Sequence, residues 1–279
     1  MNMNLLISQD LSCAGQVSMS VALPILGACG YSPSILPTAM LSTHTGGFGR
    51  NTFLDLSDEI SKIIDHLQEV PLDFDTIYLG YLGANALNAW LKNIKKIYQE
   101  NQIILLDPVM GDHGKFYSGM NSDYAKNMQK LAKYATILTP NLTEACMLLD
   151  IPLNQISESL PFAQEVMENL KEKMSNKKIV ITGIPLNDEI GMIGYDGENT
   201  WTLSQKKIGR SFFGTGDIFA SVFLASYLTK ADLKNAAEVA AKFITIAIKN
   251  TKPDQDQRFG PNYAAALPWL IERLRKDSE

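Results

Sequence analysis

Gly214, Thr215, Gly216 and Asp217 stand in a row ahead of an apolar helical pattern running through Ile218, Phe219, Val222, Phe223 and Ala225. The two glycines clear side chains away, so a backbone can approach an anion closely. The first turn of a helix adds unpaired amide N–H groups and the positive end of the helix dipole, which together make an anion site. A carboxylate at Asp217 would repel an anion held there. It makes sense as a base aimed at an attacking hydroxyl, with the amides holding the charge that develops on a transferred phosphoryl group. A plainer reading stays open, because glycine-rich turns before helices are common and an aspartate in a first turn suits the dipole.

Other polar clusters follow short apolar runs. Asp107-Pro108-Val109-Met110-Gly111-Asp112 comes after the run at 103–106. Its two carboxylates can approach a metal or a water cluster on phosphates, although Asp-Pro and Gly-Asp are also ordinary turn pairs. Pro140-Asn141-Leu142-Thr143-Glu144 follows the run at 136–139. Asn141 as N-cap with Glu144 three residues on spells a capping box, and the same side chains at a sheet edge would face phosphate and metal; the two roles can coexist. The segment from Ser42 to Gly49, dense in hydroxyls and glycines, reads as a surface loop or as a lid or clamp over a substrate. His113 reads as a solvated loop residue. The three histidines, His44, His66 and His113, show no pairing pattern, so no histidine metal site is expected.

The elements that must position these residues follow from the hydrophobic patterning. Strands are expected at 5–8, 77–80, 103–106, 136–139 and 178–183, with an edge-type strand over 35–41 that contains Pro37 and a hairpin at 190–195 and 200–203. Helices are expected at 16–29, interrupted at Pro24 and stopped by Gly30, then at 56–67, 161–175, from 218 onward, 231–249 and about 264–275. Alternating strands and helices predict an α/β fold, a mostly parallel sheet covered on both faces, in a single domain over 1–279. Every polar cluster follows a strand, at the edge where open α/β sheets bind ligands.

Bulk properties narrow the partners. With 279 residues, 46% apolar and 20% charged residues and a net charge of −5, the chain has no basic footprint for nucleic acid. No apolar run reaches the roughly 20 residues that span a bilayer. The N-terminal run Met1-Asn2-Met3-Asn4-Leu5 lacks the basic start of a signal peptide. Three cysteines, Cys13, Cys29 and Cys146, without metal-ligand spacing suit reduced thiols in a cytoplasmic protein. The expected substrate is a small molecule.

Taken together, Ser42-Thr43-His44-Thr45-Gly46, Gly80-Tyr81, Asp107 to Asp112, Thr139 to Glu144 and Gly214-Thr215-Gly216-Asp217 resemble the ribokinase-like superfamily of small-molecule kinases, and within it the pyridoxal/pyridoxamine (vitamin B6) kinases. The resemblance covers nearly the whole chain and implies a three-layer sandwich. It implies that Asp217 is the base that deprotonates the 5′-hydroxymethyl group of a B6 vitamer for in-line attack on the γ-phosphate of ATP, with Gly214, Thr215 and Gly216 as the anion hole. It places Asp107, Asp112 and Glu144 around Mg²⁺ and its waters, Asp107, Asn141 and Thr182 near the ATP phosphates, and Ile208 and Phe212 around the nucleotide. Thr45 and Tyr81 match vitamer-pocket positions. K⁺ and a homodimer are further implications. One departure stands out: where many relatives carry Ser-x-Gln-Ser-His, this chain has Ser8-Gln9-Asp10-Leu11-Ser12, which puts Asp10 at the ring-contact position. A carboxylate there could accept from a phenolic hydroxyl or a ring N–H, or pair with the amine of pyridoxamine. Hydroxymethylpyrimidine kinases, the nearest alternative, typically place Cys after Gly-Thr-Gly, and superfamily sugar kinases usually carry Gly-Ala-Gly-Asp. A non-catalytic vitamer-binding protein would be expected to lose Asp217 or an anion-hole glycine.

Overall fold

Leu5–Ser8, Thr76–Leu79 and Ile103–Leu106 are apolar nearly without a break, so each must be covered on two faces, as strands of a parallel sheet are. The structure, a computed structural model, describes residues 4–70, 72–175 and 177–278. In chain order, β1 (Leu5–Ser8), β2 (Leu11–Ser12) and α1 (Met19–Ala28) are followed by β3 (Ser34–Ile35), β4 (Ala39–Leu41), β5 (Phe53–Asp55) and α2 (Ser57–Glu69). Next come β6 (Thr76–Leu79), α3 (Gly83–Ile97), β7 (Ile103–Leu106), the small hairpin of β8 (Gly111–Asp112) and β9 (Lys115–Phe116), and α4 (Ser122–Ala132). Then follow β10 (Ile137–Leu138), α5 (Leu142–Leu148), α6 (Leu160–Lys173), β11 (Lys178–Leu186), β12 (Glu189–Tyr195) and β13 (Thr200–Lys206). The chain closes with α7 (Thr215–Lys230), α8 (Leu233–Lys249) and α9 (Leu267–Ser278).

Eight strands form the central sheet in the order β13-β12-β11-β10-β7-β6-β1-β3. The pairings from β3 through β11 are parallel, and β12 and β13 extend the sheet as an antiparallel ladder. Alternate strand residues serve opposite cores. Leu6, Ile77, Ile104, Leu138 and Ile179 face one core with side chains of α2 to α6, among them Ile60, Trp90, Met128 and Val166. Leu5, Ile7, Tyr78, Leu105 and Val180 face the other with α1 and α7 to α9, through Ile25, Phe223, Phe243 and Leu270. The three-layer α/β sandwich is therefore what forms, with its parallel strands ending at one common edge.

Two expectations need correction. The strand expected over 35–41 is split. Leu36 N donates to Ile7 O at 2.8 Å and Thr38 N to Gln9 O at 3.0 Å, but Pro37 between them has no N–H, and the chain leaves the main sheet there. β4 joins a second sheet, β2-β4-β5, whose β4–β5 connection is the loop that carries Thr45. In addition, α3 and α4 form where the patterning gave no helix. The N-cap of α3 is Leu82, which offers no side-chain cap; α4 is capped by Asn121, which accepts from the amides of Asp123 and Tyr124 at 3.0 Å. Met1–Met3, part of the segment read as lacking a leader, lie outside the described residues. Among the described residues no helix is long and apolar enough to cross a membrane.

Where β1 meets α3, Trp90 Nε1 donates to Ser8 Oγ at 2.8 Å, and both residues are fully buried. Replacing Ser8 by Ala leaves a buried indole N–H without a partner. The expected loss in urea unfolding is about 1–3 kcal/mol.

Candidate active site

α7 begins at the common strand edge. Its N-cap, Gly214, lies at φ 79°, and a Cβ there would stand 2.0 Å from Gln16 O, so only glycine lets the helix start against that segment. No hydrogen-bond partner for the amides of Gly214, Thr215, Gly216 or Asp217 is found among the described residues. A Cβ added to Gly216 would meet nothing within 4 Å, so the space above the first turn is open. Free amides, the dipole and open space together form an anion cradle. Asp217 lies half-buried in the same turn. Burial pushes its carboxyl up to about 7, opposed by the Ser18 backbone N–H and reinforced by the charge of Asp10. A carboxyl near neutrality is poised to accept a proton.

The other acids come from the ends of β7 and β10. Asp107, buried just past β7, has no hydrogen-bond or ion-pair partner for its carboxylate among the described residues, and burial and the charge of Asp217 hold it well above the usual carboxylate range. Glu144 completes the predicted capping box. Its Oε2 accepts from Asn141 N at 2.9 Å and its Oε1 from Met110 N at 3.0 Å, while Asn141 Oδ1 accepts from Glu144 N at 2.9 Å. Burial and Asp107 nonetheless push Glu144 well above its ordinary range. Asp112 lies in the β8–β9 hairpin, its Oδ1 accepting from His113 N at 2.8 Å. Asp107, Asp112 and Glu144 do not converge as one set of direct ligands: among the described residues no group of three His, Cys, Asp or Glu could hold a metal ion. Their chemistry still suits a cation held partly by phosphate and water, since Asp107 and Glu144 are buried acids with no cationic partner and the Thr139 hydroxyl beside them is buried without a hydrogen bond. Thr182 reaches the same edge because the pairing of β11 with β12 shifts between Ile181 and Ile184, and it pairs with Asn141 as an isolated bridge. Ile208 follows β13 half-buried. Phe212 is buried beneath the Arg210 guanidinium at 4.8 Å, whereas Phe213 is exposed.

Thr45 and Tyr81 share a cavity of about 270 Å³ with Phe53, Leu82, Ser118 and Met120. Asp10 lies deeper, buried, where it accepts from Ser12 Oγ at 3.0 Å and helps burial to push the Tyr81 phenol up to about 12. The loop bearing Thr45 is strapped down. His44 Nδ1 accepts from Gly46 N at 3.1 Å, which leaves Nε2 to donate to Arg258 O at 2.7 Å. The His44 ring packs between Phe48 and Phe213, and Arg258 lies over Phe48 and donates to Gly47 O at 3.2 Å.

Several residues of this site went unread in the sequence. Burial holds the Tyr117 phenol well above the usual range, reinforced by the charges of Glu144, Asp112, Asp107 and Asp217. Gln9 is fully buried with neither amide atom bonded, and Gly80 has no Cβ because one would meet Gln9 Cδ at 2.7 Å. Ser18 lies against both Asp10 and Asp217. Gln9 and Gly80 were read only as members of motifs, with no role of their own; nothing local marks Tyr117 or Ser18.

The chain is similar to known proteins over most of its length. The family model described as phosphomethylpyrimidine kinase matches residues 38–262. The pyridoxine/pyridoxal/pyridoxamine kinase of Bordetella avium is 24% identical over 92% of this chain and 90% of its own length. The crystal structure of pyridoxal kinase from Lactobacillus plantarum is 28% identical, covers 99% of both chains and superposes with a TM-score of 0.89. A Bacteroides thetaiotaomicron structure solved with pyridoxal is 31% identical over 98% of this chain and 96% of that one, with a TM-score of 0.85.

The two glycines of the cradle separate fold from site. Gly214→Ala is expected to lose at least about 1–2 kcal/mol from the left-handed backbone alone. Gly216→Ala, with no neighbour to meet, is expected to stay within about 1 kcal/mol of the parent. Urea unfolding of the two variants checks the contrast.

Proposed function

The chain belongs to the phosphomethylpyrimidine kinase family, and on that premise we propose that it transfers the γ-phosphoryl group of ATP to the 5′-hydroxymethyl oxygen of a B6 vitamer. The observation that carries the reading is Asp217, a carboxyl pushed up to about 7 in the first turn of a helix whose amides are free. Asp217 takes the proton of the acceptor hydroxyl as its oxygen attacks phosphorus, and the proton stays on that carboxyl. The amides of Gly214, Thr215 and Gly216 hold the charge that grows on the transferred group. Asp107 and Glu144, with the Thr139 hydroxyl near them, are the groups suited to Mg²⁺ accompanying ATP. Such an ion supplies positive charge to the phosphate oxygens. The strap through His44 and Arg258 holds the Thr45 loop beside the acceptor cavity, and excluding water there favours transfer to the acceptor over hydrolysis.

The test is ADP release from ATP and Mg²⁺ with pyridoxal, pyridoxamine, pyridoxine or hydroxymethylpyrimidine offered separately, against a control without acceptor. Turnover with the B6 vitamers is expected. Hydroxymethylpyrimidine is the second reading, favoured by the family model and by a 30% identical hydroxymethylpyrimidine/phosphomethylpyrimidine kinase of Aquifex aeolicus that covers 55% of this chain. Activity with that acceptor alone would establish it.

Asp217→Asn keeps the size of the side chain and removes the base. The kcat is expected to fall by about 10²–10⁴-fold with ATP binding retained; survival within a few-fold would remove Asp217 from that role. Stability moves the other way. A carboxyl raised to about 7 by folding binds its proton more tightly in the folded state, so its contribution is favourable below its unfolded value and is lost as pH rises through about 7. In metal-free buffer the Tm gain of the Asn variant over the parent should therefore be larger at pH 8 than at pH 5.

A further inference from the structure

Phe213 touches two parts of the cleft that the chain keeps far apart in sequence. It stands immediately before Gly214, where the anion cradle begins, and it is 43% exposed, so the core does not fix its ring. Its backbone N–H donates to Gln257 O at 3.2 Å. The ring itself lies against the loop that carries Thr45. Its centroid is 5.1 Å from that of His44. A Cβ added to Gly46 would stand 2.4 Å from Phe213 Cε1, so the loop backbone rests directly on the ring. Any side chain at 46 would have to push the two apart.

The loop depends on such supports. β4 ends at Leu41 and β5 begins at Phe53, so the segment between them leaves the ladder. Its stem is tied by Ser42 N donating to Thr52 O at 3.2 Å and by Asn51 Nδ2 donating to Thr43 O at 2.8 Å. The tip, residues 44–48, leans on the connection between α8 and α9 and on Phe213. The first support runs through His44 Nε2 to Arg258 O, Arg258 Nη1 to Gly47 O, and the Phe48 ring against Phe259. The second is joined to the cradle itself. An anion held by the free amides of Gly214, Thr215 and Gly216 fixes the turn from which the Phe213 ring hangs. A ring held still removes one of the motions by which the loop lifts, and that ordering is a free energy the two events share.

We propose that Phe213 is a positioning residue that couples the two halves of the cleft: nucleotide phosphate in the cradle steadies its ring, and the ring holds down the acceptor loop. The proposal rests on the ATP half of the kinase reading and needs no particular acceptor. Arg50, exposed just beyond the tip, reports on the loop, because trypsin must draw the residues on each side of it into an extended strand. The experiment follows cleavage after Arg50 by mass spectrometry, with no acceptor present. Each protein is compared with and without Mg²⁺ and a non-hydrolysable ATP analogue, supplied at about 100 times the Kd measured for that protein. The parent, and Phe213→Tyr, which keeps the ring, are expected to be cut at least about fivefold more slowly with the analogue, the lower end of ordinary coupling. Phe213→Ala and Gly46→Ala break the contact from its two sides. Each should bind the analogue yet be cut at a rate that it changes by less than about twofold. Gly46→Ala keeps the test decisive if Phe213→Ala folds poorly. Protection that persists in either alanine variant, that is lost in Phe213→Tyr, or that is missing from a parent with the analogue bound would overturn the coupling and leave the kinase reading standing. A parent that binds no ATP analogue would overturn the kinase reading and this coupling with it.

Discussion

Four carboxylates, those of Asp10, Asp107, Glu144 and Asp217, are drawn together at one edge of a single sheet, and among the described residues no lysine or arginine pairs with any of them. Like charges in a poorly solvated space repel, and each would be lost to protonation without compensation. The compensation comes from backbone and hydroxyl dipoles. Glu144 receives two amides, Asp10 the hydroxyl of Ser12, and Asp217 the Ser18 N–H and the start of α7. What remains is an excess of negative charge facing open space. Under the proposed function, Mg²⁺ accompanying ATP would supply the missing positive charge.

The rest of the architecture holds these dipoles in register. The parallel strands end at a common edge, which brings β1, β7, β10 and α7 to one cleft from four distant parts of the chain. Glycine at 214 lets α7 start against the Gln16 carbonyl, and the second sheet suspends the Thr45 loop over the cleft. His44 ties that loop to Phe213 by a ring contact and to the Arg258 carbonyl by a hydrogen bond, both far away in sequence. A chemistry that must exclude water needs a cover that is anchored in this way.

The α/β class and most of the central strands were legible because buried parallel strands are short unbroken apolar runs, and because Gly-Thr-Gly-Asp ahead of an apolar helix has a strong local reason to bind an anion. The capping box of Asn141 and Glu144 was legible for the same local reason. The split at Pro37 was not, since the sequence shows a missing N–H but not which sheet the chain joins next. β2 and β5, two and three residues long, are too short for any period to register. α3 escaped because Leu82 gives no start signal, whereas Asn121 did offer one for α4 that went unread. Asp112 was grouped with Asp107 by proximity in sequence; it sits in the β8–β9 hairpin, near enough for its charge to act on Glu144. Ser18 was invisible because what marks it is a positive φ and two acidic neighbours, one of them about 200 residues away.

The most direct measurement is the fate of the γ-phosphorus. With ATP, Mg²⁺ and pyridoxamine, ³¹P NMR of the purified product should show a phosphate monoester whose phosphorus couples to the 5′-methylene protons. A signal from inorganic phosphate alone, or an ester on any other oxygen, would contradict phosphoryl transfer to the 5′-hydroxyl aligned by Asp217.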